Sequence, residues 1–592
     1  MKIKINRNVL WAEIFVKELS LRGVKYASIS PGSRNTPLTI AFAKNKKIKT
    51  FIHIDERSSG YFALGLAKAS GTPVAVVCTS GTATAELYPA IIEAYQQRVP
   101  LIVCTADRPP ELLDMGANQT INQQNIYKNH IRYFADAGLP SPTVKKFQHL
   151  RKTAGKAVFE STIKSKGPVH LNFPFRKPFE PKTFTDEIDS KILSSVNKKL
   201  KSDKDNFYLS DKDISKLSWF KTITRQIKKS KKGLIIVGPE NYNPKFLKNC
   251  QSLSQKLGYP VLADGTSQLR FGRQPKDNII TGYDAFLRSN NFVKNHKPDI
   301  ILQFGRTITS KGLDTYLEKC NAPRFMINEY GDWFDPSDRS IGSYACKPYL
   351  FCEKMLEQIK LNGQHIKNNG WLNSFKKAEA VSLTLKNKIV DNSGFPNEGR
   401  IINEIIQTVP DNCQIMLSNS MPVRDFDYFA SNTNKKIVIF NNRGASGIDG
   451  ITSTALGIAA AGNKPTILIT GDLAFYYDLN GLLSARNYKI PLVIILINNN
   501  GGGIFEILPI SNYKEIFNKY FVVPHNLDFS PFVKAYGGKY KRVKNWKDFN
   551  KSLETAFRSK NLNVIEIKTN APNSLSTRKK FWNAVGNKLN NI

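Results

Sequence analysis

Two short clusters in the last third of this 592-residue chain carry the residue types that hold a hard cation against phosphate. One is Gly471-Asp472-Leu473; the other is Asn498-Asn499-Asn500-Gly501-Gly502. Asp472 and Asn499 stand 27 residues apart (499 − 472), room for one helix and one strand between them. A carboxylate, an amide oxygen and a backbone carbonyl leave an octahedral Mg2+ with positions for phosphate oxygens and water. An all-oxygen set suits Mg2+, Ca2+ or Mn2+ rather than zinc. Each cluster follows an apolar run, Ile467–Thr470 before the first and Leu492–Ile497 before the second. In a parallel sheet both would open at the carboxyl edge, where ligands bind. The glycines let backbone approach a phosphate, and a helix N-terminus adds its own attraction for anions. Gly-Asp alone reads as an ordinary strand-end turn. Both clusters at this spacing, each behind a strand, point to a site.

A third candidate is Glu56, which follows a short strand pattern and precedes the small-residue helix beginning Tyr61-Phe62-Ala63. By position alone it reads as a solvated helix start, where an acid complements the helix dipole. Several arginines lie in loops. Any one of them is more often a surface ion pair than a ligand contact, and Arg424-Asp425 in particular reads as a local pair. Arg34 and Arg443 fit that reading least, since each sits in a Gly/Ser-rich loop after a strand.

The elements that must carry these residues are short β-branched runs alternating with helical stretches, the pattern of parallel α/β sheets. Strands are predicted at Val74–Thr79, Leu101–Thr105, Leu234–Val237, Ile300–Phe304, Ile437–Phe440, Ile467–Thr470, Leu492–Ile497 and Val564–Ile567. Polar, Lys-rich stretches at 177–216 and 364–396 read as linkers. The chain therefore divides into three doubly wound α/β domains, 1–185, 186–390 and 391–592, as expected for a length beyond one hydrophobic core. The basic N-terminus lacks an apolar signal segment and reads as an amphipathic helix.

Composition narrows the classes further. No apolar run approaches the ~20 residues of a membrane helix. Seven scattered cysteines, none in a C-x-x-C pair, suggest neither a disulfide framework nor zinc, and a cytoplasmic setting fits. The net charge of +38 comes mostly from lysine spread along the chain, without an aromatic-interleaved basic module. A solvated surface that also draws in small anions accounts for it better than nucleic acid does.

The pair of clusters resembles the thiamine diphosphate motif, with Leu473 where most such enzymes have glycine. A longer series of motifs narrows the resemblance. In order they are Ser30-Pro-Gly-Ser-Arg-Asn-Thr-Pro-Leu38, Asp55-Glu-Arg57, Thr79-Ser-Gly-Thr-Ala83, Thr105-Ala-Asp-Arg-Pro-Pro-Glu-Leu112, Gly116-Ala-Asn-Gln119 and Asn442-Arg-Gly-Ala-Ser-Gly-Ile-Asp-Gly450. Together they closely resemble the 2-succinyl-5-enolpyruvyl-6-hydroxy-3-cyclohexene-1-carboxylate synthases, the thiamine enzymes of menaquinone biosynthesis. The likeness covers both ends of the chain and is weaker over 177–396.

The resemblance implies three domains of the thiamine-diphosphate-binding type, Mg2+ or Mn2+ as metal, and the substrates 2-oxoglutarate and isochorismate. It implies a homodimer or homotetramer with shared sites. Glu56 would contact the cofactor's aminopyrimidine, an acid best placed in an apolar pocket that raises its pKa. Ile448 would bend the cofactor, with Ser420 and Ile504 beside it. Asp472, Asn499 and the Gly501 carbonyl would bind the metal. Arg34, Arg108, Arg424 and Arg443 would grip substrate carboxylates, helped by Ser33, Asn118, Gln119 and Ser420. Phe505 and Leu508 would line the pocket. A central-domain basic pair is half present: Lys311 fits, but Gly312 stands where an arginine is expected.

Rival readings meet specific obstacles. An acetolactate-synthase-like carboligase would share the metal motif but not the arginine-bearing loops. An inactive basic scaffold would have no need of Glu56, Asp472 and Asn499 together. A nicotinamide dehydrogenase would need a strand-linked G-x-G-x-x-G, which is absent.

Overall fold

The computed structural model describes residues 2–197, 213–361, 369–462 and 464–590. Three six-stranded, all-parallel sheets organise them, together with one antiparallel pair, β1 (Lys2–Ile5) with β8 (Asp186–Asp189). The first sheet contains β2 (Tyr26–Ile29), β3 (Lys49–Ile52), β4 (Val74–Cys78), β5 (Leu101–Asp107), β6 (Phe134–Asp136) and β7 (Val169–Pro174), in the order β3-β2-β4-β5-β7-β6. The central sheet contains β9 (Gly233–Val237), β10 (Val261–Ala263), β11 (Ile279–Ile280), β12 (Ile300–Phe304), β13 (Arg324–Asn328) and β14 (Ser340–Ala345), in the order β11-β10-β9-β12-β13-β14. The third contains β15 (Cys413–Leu417), β16 (Ile437–Asn441), β17 (Thr466–Gly471), β18 (Leu492–Asn498), β19 (Lys539–Arg542) and β20 (Leu562–Lys568), in the order β16-β15-β17-β18-β20-β19.

Counted from its own first strand, the third sheet repeats the order of the first, so the two end domains share an architecture that no sequence repeat reveals. All eight predicted strands form, within a residue or two of the expected ends. Their continuous apolar runs are explained by burial on both faces: every residue of β4, β5, β9, β12, β15 and β18 is buried.

Three expectations need correction. The stretch 364–396 is not an open connector, because Asn369–Lys386 is a helix. Trp371, Phe375 and Ala378 recur along one face of it and join the core, while Glu379 accepts from the Thr281 and Gly282 amides at 2.9 and 2.8 Å. The first stretch likewise holds β8 and the helix Ser190–Asn197, with Arg7 gripping Asp186 at 2.7 and 2.6 Å; its residues 198–212 lie outside the described residues. The N-terminus opens as a strand, and the helix begins only at Arg7, where the Asn6 side chain caps it.

The two end domains meet through the helices Glu56–Ser70 and Ile451–Ala460. A Cβ on Gly65 would lie 2.0 Å from the Thr454 carbonyl oxygen, and one on Gly457 would lie 2.0 Å from that of Phe62. The helices therefore cross backbone to backbone. Overpacking typically costs about 1–3 kcal/mol, and here the obstacle is main chain. Gly457→Leu is expected to lower the thermal unfolding midpoint markedly; an unchanged midpoint would contradict this crossing. Among the described residues no helix is long and apolar enough to cross a membrane.

Candidate active site

In the third sheet the chain steps from β15 to β16 on one side and then to β17 on the other. The crevice at such a reversal, beyond the carboxyl ends of the strands, is where doubly wound sheets bind ligands. A cavity of about 390 Å3 opens there, lined by the turns after β15, β17 and β18 and by the Asn442–Gly450 loop. All the candidate residues from the last third line it. Asp472, Asn499 and Gly501 lie on one side, Ile448, Ile504, Phe505 and Leu508 give it apolar walls, and Ser420, Arg424 and Arg443 form a polar end.

Asp472 is 2% exposed and starts the helix Asp472–Tyr477. Its Oδ1 accepts from the Leu473 amide at 2.7 Å and its Oδ2 from the Gly501 amide at 3.0 Å. Burial pushes this carboxyl above the ordinary range, against the pull of His525 and the two amides. Nearby, Asn499 Oδ1 is buried with no hydrogen-bond partner. An orphaned amide oxygen beside a buried carboxylate is what a hard cation would satisfy. No group of three His, Cys, Asp or Glu side chains that could hold a metal occurs among the described residues, so the donors offered here are mixed oxygens.

The loop that presents them depends on glycine. A Cβ on Gly501 (φ +141°) would lie 2.1 Å from the Val522 carbonyl oxygen, and one on Gly502 would lie 2.4 Å from that of Phe521. Asn500 adopts φ 65° and exchanges two 2.8 Å hydrogen bonds with Asn526. The same 521–526 segment brings His525 Nε2 within 3.2 Å of Asp472 Oδ2. Because His525 Nδ1 accepts from the Leu527 amide at 3.0 Å, a neutral ring carries its proton on Nε2, facing the carboxylate. Sequence reading missed His525, which lies 53 residues beyond Asp472 (525 − 472) in a segment with no motif.

At the polar end, Arg424 donates to the Ser420 carbonyl at 2.6 Å, and Ser420 itself sits at φ 69°, a conformation rare for serine. Arg424 does not take Asp425 as its partner. Asp425 is held instead by Arg578 of the last helix, at 2.7 and 2.6 Å, and Arg578 also reaches Glu398 at 2.5 Å. Burial, with Arg424 nearby, lowers the Arg443 pKa. Asn419 donates to the Asn442 and Gly447 carbonyls, both at 2.7 Å, fixing the loop that carries Arg443 and Ile448.

The candidates from the N-terminal third gather at the equivalent edge of the first sheet. Arg34 follows β2, is 9% exposed, and donates to the Phe175 carbonyl at 2.6 Å. Burial and neighbouring Arg108 lower its pKa to about 10. Arg108, beyond β5, bonds the Ser80 hydroxyl and the Asn118 carbonyl. Gln119 donates to the Ser80 carbonyl at 2.9 Å, and Ser33 and Asn118 are exposed. Glu56 opens the helix Glu56–Ser70, capped by Asp55, and is partly buried; desolvation raises its pKa. Among the described residues, none before Glu398 lines the third-sheet cavity, so the candidates form two separate groups on the chain. Lys311 belongs to neither: its side chain is 65% exposed and pairs with Asp314 at 2.8 Å. At 312 a Cβ would lie 2.5 Å from the Asp284 carbonyl oxygen, which leaves no room for arginine.

Residues 11–126 match the family described as thiamine pyrophosphate enzyme, N-terminal TPP binding domain. Residues 191–417 match the middle domain of thiamine pyrophosphate, and 428–567 match the C-terminal TPP binding domain. A 2-succinyl-5-enolpyruvyl-6-hydroxy-3-cyclohexene-1-carboxylate synthase of Bacillus cytotoxicus is 38% identical over 96% of this chain and 95% of that protein. One of Haloquadratum walsbyi is 38% identical over 98% of each. This chain belongs to that synthase family. It is thereby a thiamine-diphosphate-dependent enzyme, and both groups of candidate residues fall largely within the two cofactor-binding regions. Ser420 and Arg424 lie just between the matched segments. The fold is also that of a Rhodococcus jostii thiamine diphosphate-dependent 4-hydroxybenzoylformate decarboxylase, with a TM-score of 0.67 at 15% identity over 95% of this chain and 99% of the other.

Proposed function

We propose that this synthase decarboxylates 2-oxoglutarate and adds the remaining four-carbon fragment to isochorismate, giving 2-succinyl-5-enolpyruvyl-6-hydroxy-3-cyclohexene-1-carboxylate and CO2. The observation that carries the reading is the near-full-length likeness to synthases of that name. Bound thiamine diphosphate supplies the nucleophilic carbon and the electron sink for loss of CO2. The chain supplies the rest. Asp472, Asn499 and the Gly501 carbonyl would hold Mg2+ or Mn2+ at the carboxyl edge of the third sheet. Glu56, whose carboxyl pKa burial raises, would hold and release the proton where the aminopyrimidine end of the cofactor is bound. Ile448 and Ile504 orient the cofactor in an apolar wall, and Phe505 and Leu508 exclude water. Both substrates are polyanions, and Arg34, Arg108, Arg424 and Arg443 offer planar forks to their carboxylates, with Ser33, Asn118, Gln119 and Ser420 as polar neighbours.

Two half-sites on one chain are completed by a second copy, as a homodimer or a pair of dimers. Ile54 (73% exposed), Tyr476 (55%) and Tyr477 (48%) leave apolar surface beside Glu56 that such a copy would cover. A reducing cytoplasm suits seven free, buried thiols. Lys311, outside both half-sites, is at most an outer contact for isochorismate.

The test is to incubate pure protein with thiamine diphosphate, Mg2+, 2-oxoglutarate and isochorismate and to identify the product by mass. The expected product is the named carboxylate. Failure to form it, or a preference for pyruvate as donor, would overturn the reading.

A further inference from the structure

The Asn442–Gly450 loop, which brings Arg443 and Ile448 to the cavity, is held on its other side by the first domain of the same chain. Glu93, on the helix Tyr88–Gln96, is 2% exposed. Its Oε1 accepts from the Gly444 amide at 2.9 Å and its Oε2 from the Ala445 amide at 2.6 Å. Lys68, on the helix Glu56–Ser70, donates to the Asn441 carbonyl at 2.5 Å and to Asn442 Oδ1 at 2.6 Å. Its ammonium lies 4.0 Å from Glu93 Oε1. A Cβ at Gly444 would stand 2.7 Å from Gln96 Cβ, so the loop lies directly on the helix. Together, the Glu93 carboxylate, the Lys68 ammonium and the Asn419 amide grip Asn441, Asn442, Gly444, Ala445 and Gly447 around Arg443.

Burying a lysine and a glutamate together is a weak source of stability, since desolvation offsets most of their attraction. Burial pulls the Lys68 ammonium down to about 8 even with Glu93 beside it. What the pair does deliver is geometry. Both Glu93 oxygens are spent on consecutive backbone amides, which fixes the path of the chain at the residues immediately after Arg443. A guanidinium gripping a carboxylate through two parallel bonds has little tolerance for displacement.

We propose that Glu93 and Lys68 are positioning residues: from the neighbouring domain, they set the place of Arg443 and with it the affinity for one substrate carboxylate. The inference rests on Arg443 being a substrate-carboxylate ligand. Glu93 touches no substrate; it acts through the loop. Misplacing a binding group by about 1 Å can cost on the order of 100-fold, so a freed loop should cost at least about tenfold in KM.

The experiment is a double-mutant cycle on the holoenzyme, with KM measured separately for 2-oxoglutarate and isochorismate. Arg443→Ala identifies the substrate whose KM depends on the guanidinium. Glu93→Ala is expected to raise the same KM about tenfold or more, with a smaller change in kcat. In the Arg443→Ala background, Glu93→Ala should add nothing further, because the group it positions is gone. Glu93→Gln, which keeps one acceptor oxygen, should fall in between and serves in place of Glu93→Ala if that variant does not fold. Lys68→Met should raise the same KM. Hydrogen exchange at the Gly444 and Ala445 amides should quicken in the Glu93 variants.

A well-folded Glu93→Ala enzyme with unchanged KM values overturns the proposal and leaves the function reading intact. Additive effects in the cycle overturn it as well, since Glu93 would then act by another route. A lower unfolding midpoint with unchanged kinetics makes Glu93 merely structural. If Arg443→Ala leaves both KM values untouched, the carboxylate role of Arg443 fails, and the proposal falls with it.

Discussion

Glu56→Gln will fold normally and lose about 10²–10⁴-fold in turnover, the range contributed by a positioned proton-transfer group. Glutamine fits the same space at the start of the helix Glu56–Ser70 and can still hydrogen-bond. It cannot take up or release a proton. The fold should tolerate the change because Asp55, not Glu56, caps the helix, its carboxylate accepting from the Ser58 amide at 3.1 Å. What disappears is a carboxyl whose pKa burial raises, with Asp55 and Glu86 adding like-charge pressure against a favourable backbone contact. In sign, a raised pKa means that Glu56 keeps its proton to a higher pH than an exposed glutamate. It can therefore hold and release that proton closer to neutrality, where a shuttle group is most effective. Circular dichroism and steady-state turnover check both halves of the expectation. Near-normal turnover in a folded variant would remove Glu56 from the chemistry.

How much of this was legible beforehand depended on whether the signal was local. Strands buried on both faces write themselves as unbroken apolar runs, so Leu492–Asn498 and Ile300–Phe304 could be placed from composition alone. Asp472 and Asn499 could be placed together at the sheet edge because each follows directly on a strand buried on both faces. The helix Asn369–Lys386 was not legible, because polar residues such as the exposed Asn373 and Lys377 and the buried Lys386 interrupt the apolar spacing of Trp371, Phe375 and Ala378. Gly312 looked like a missing arginine; its reason is the Asp284 carbonyl, 28 residues away (312 − 284). His525, Arg578 and Glu93 were missed for one common cause. Each acts on the site through a partner distant in sequence, and a lone histidine, arginine or glutamate carries no mark of where the fold will put it. The repeated strand order of the end domains was likewise invisible, since topology is conserved by packing geometry rather than by residue identity.

Mixing two inactive variants should restore activity. Asp472→Ala removes the buried carboxylate that stands beside the unpartnered Asn499 oxygen, so calorimetry should show a large loss of metal-dependent thiamine diphosphate affinity. Glu56→Gln removes the proposed proton-handling group of the N-terminal candidate cluster. Among the described residues, none before Glu398 lines the cavity near Asp472, so in the proposed arrangement a complete site takes Glu56 from one subunit and Asp472 from the other. In a two-fold dimer the arrangement is reciprocal. A heterodimer of the two variants then holds one site with both lesions and one with neither. After full exchange of equal amounts, half the dimers are heterodimers and half of their sites are intact, giving about one quarter of parental activity. If both lesions instead affected a site built within one chain, every site in the mixture would carry one of them and no activity would return. Native mass spectrometry establishes the exchange, and turnover decides between the arrangements. Confirmed exchange with zero activity would sink the shared-site assignment, as would a fully active monomer at low concentration.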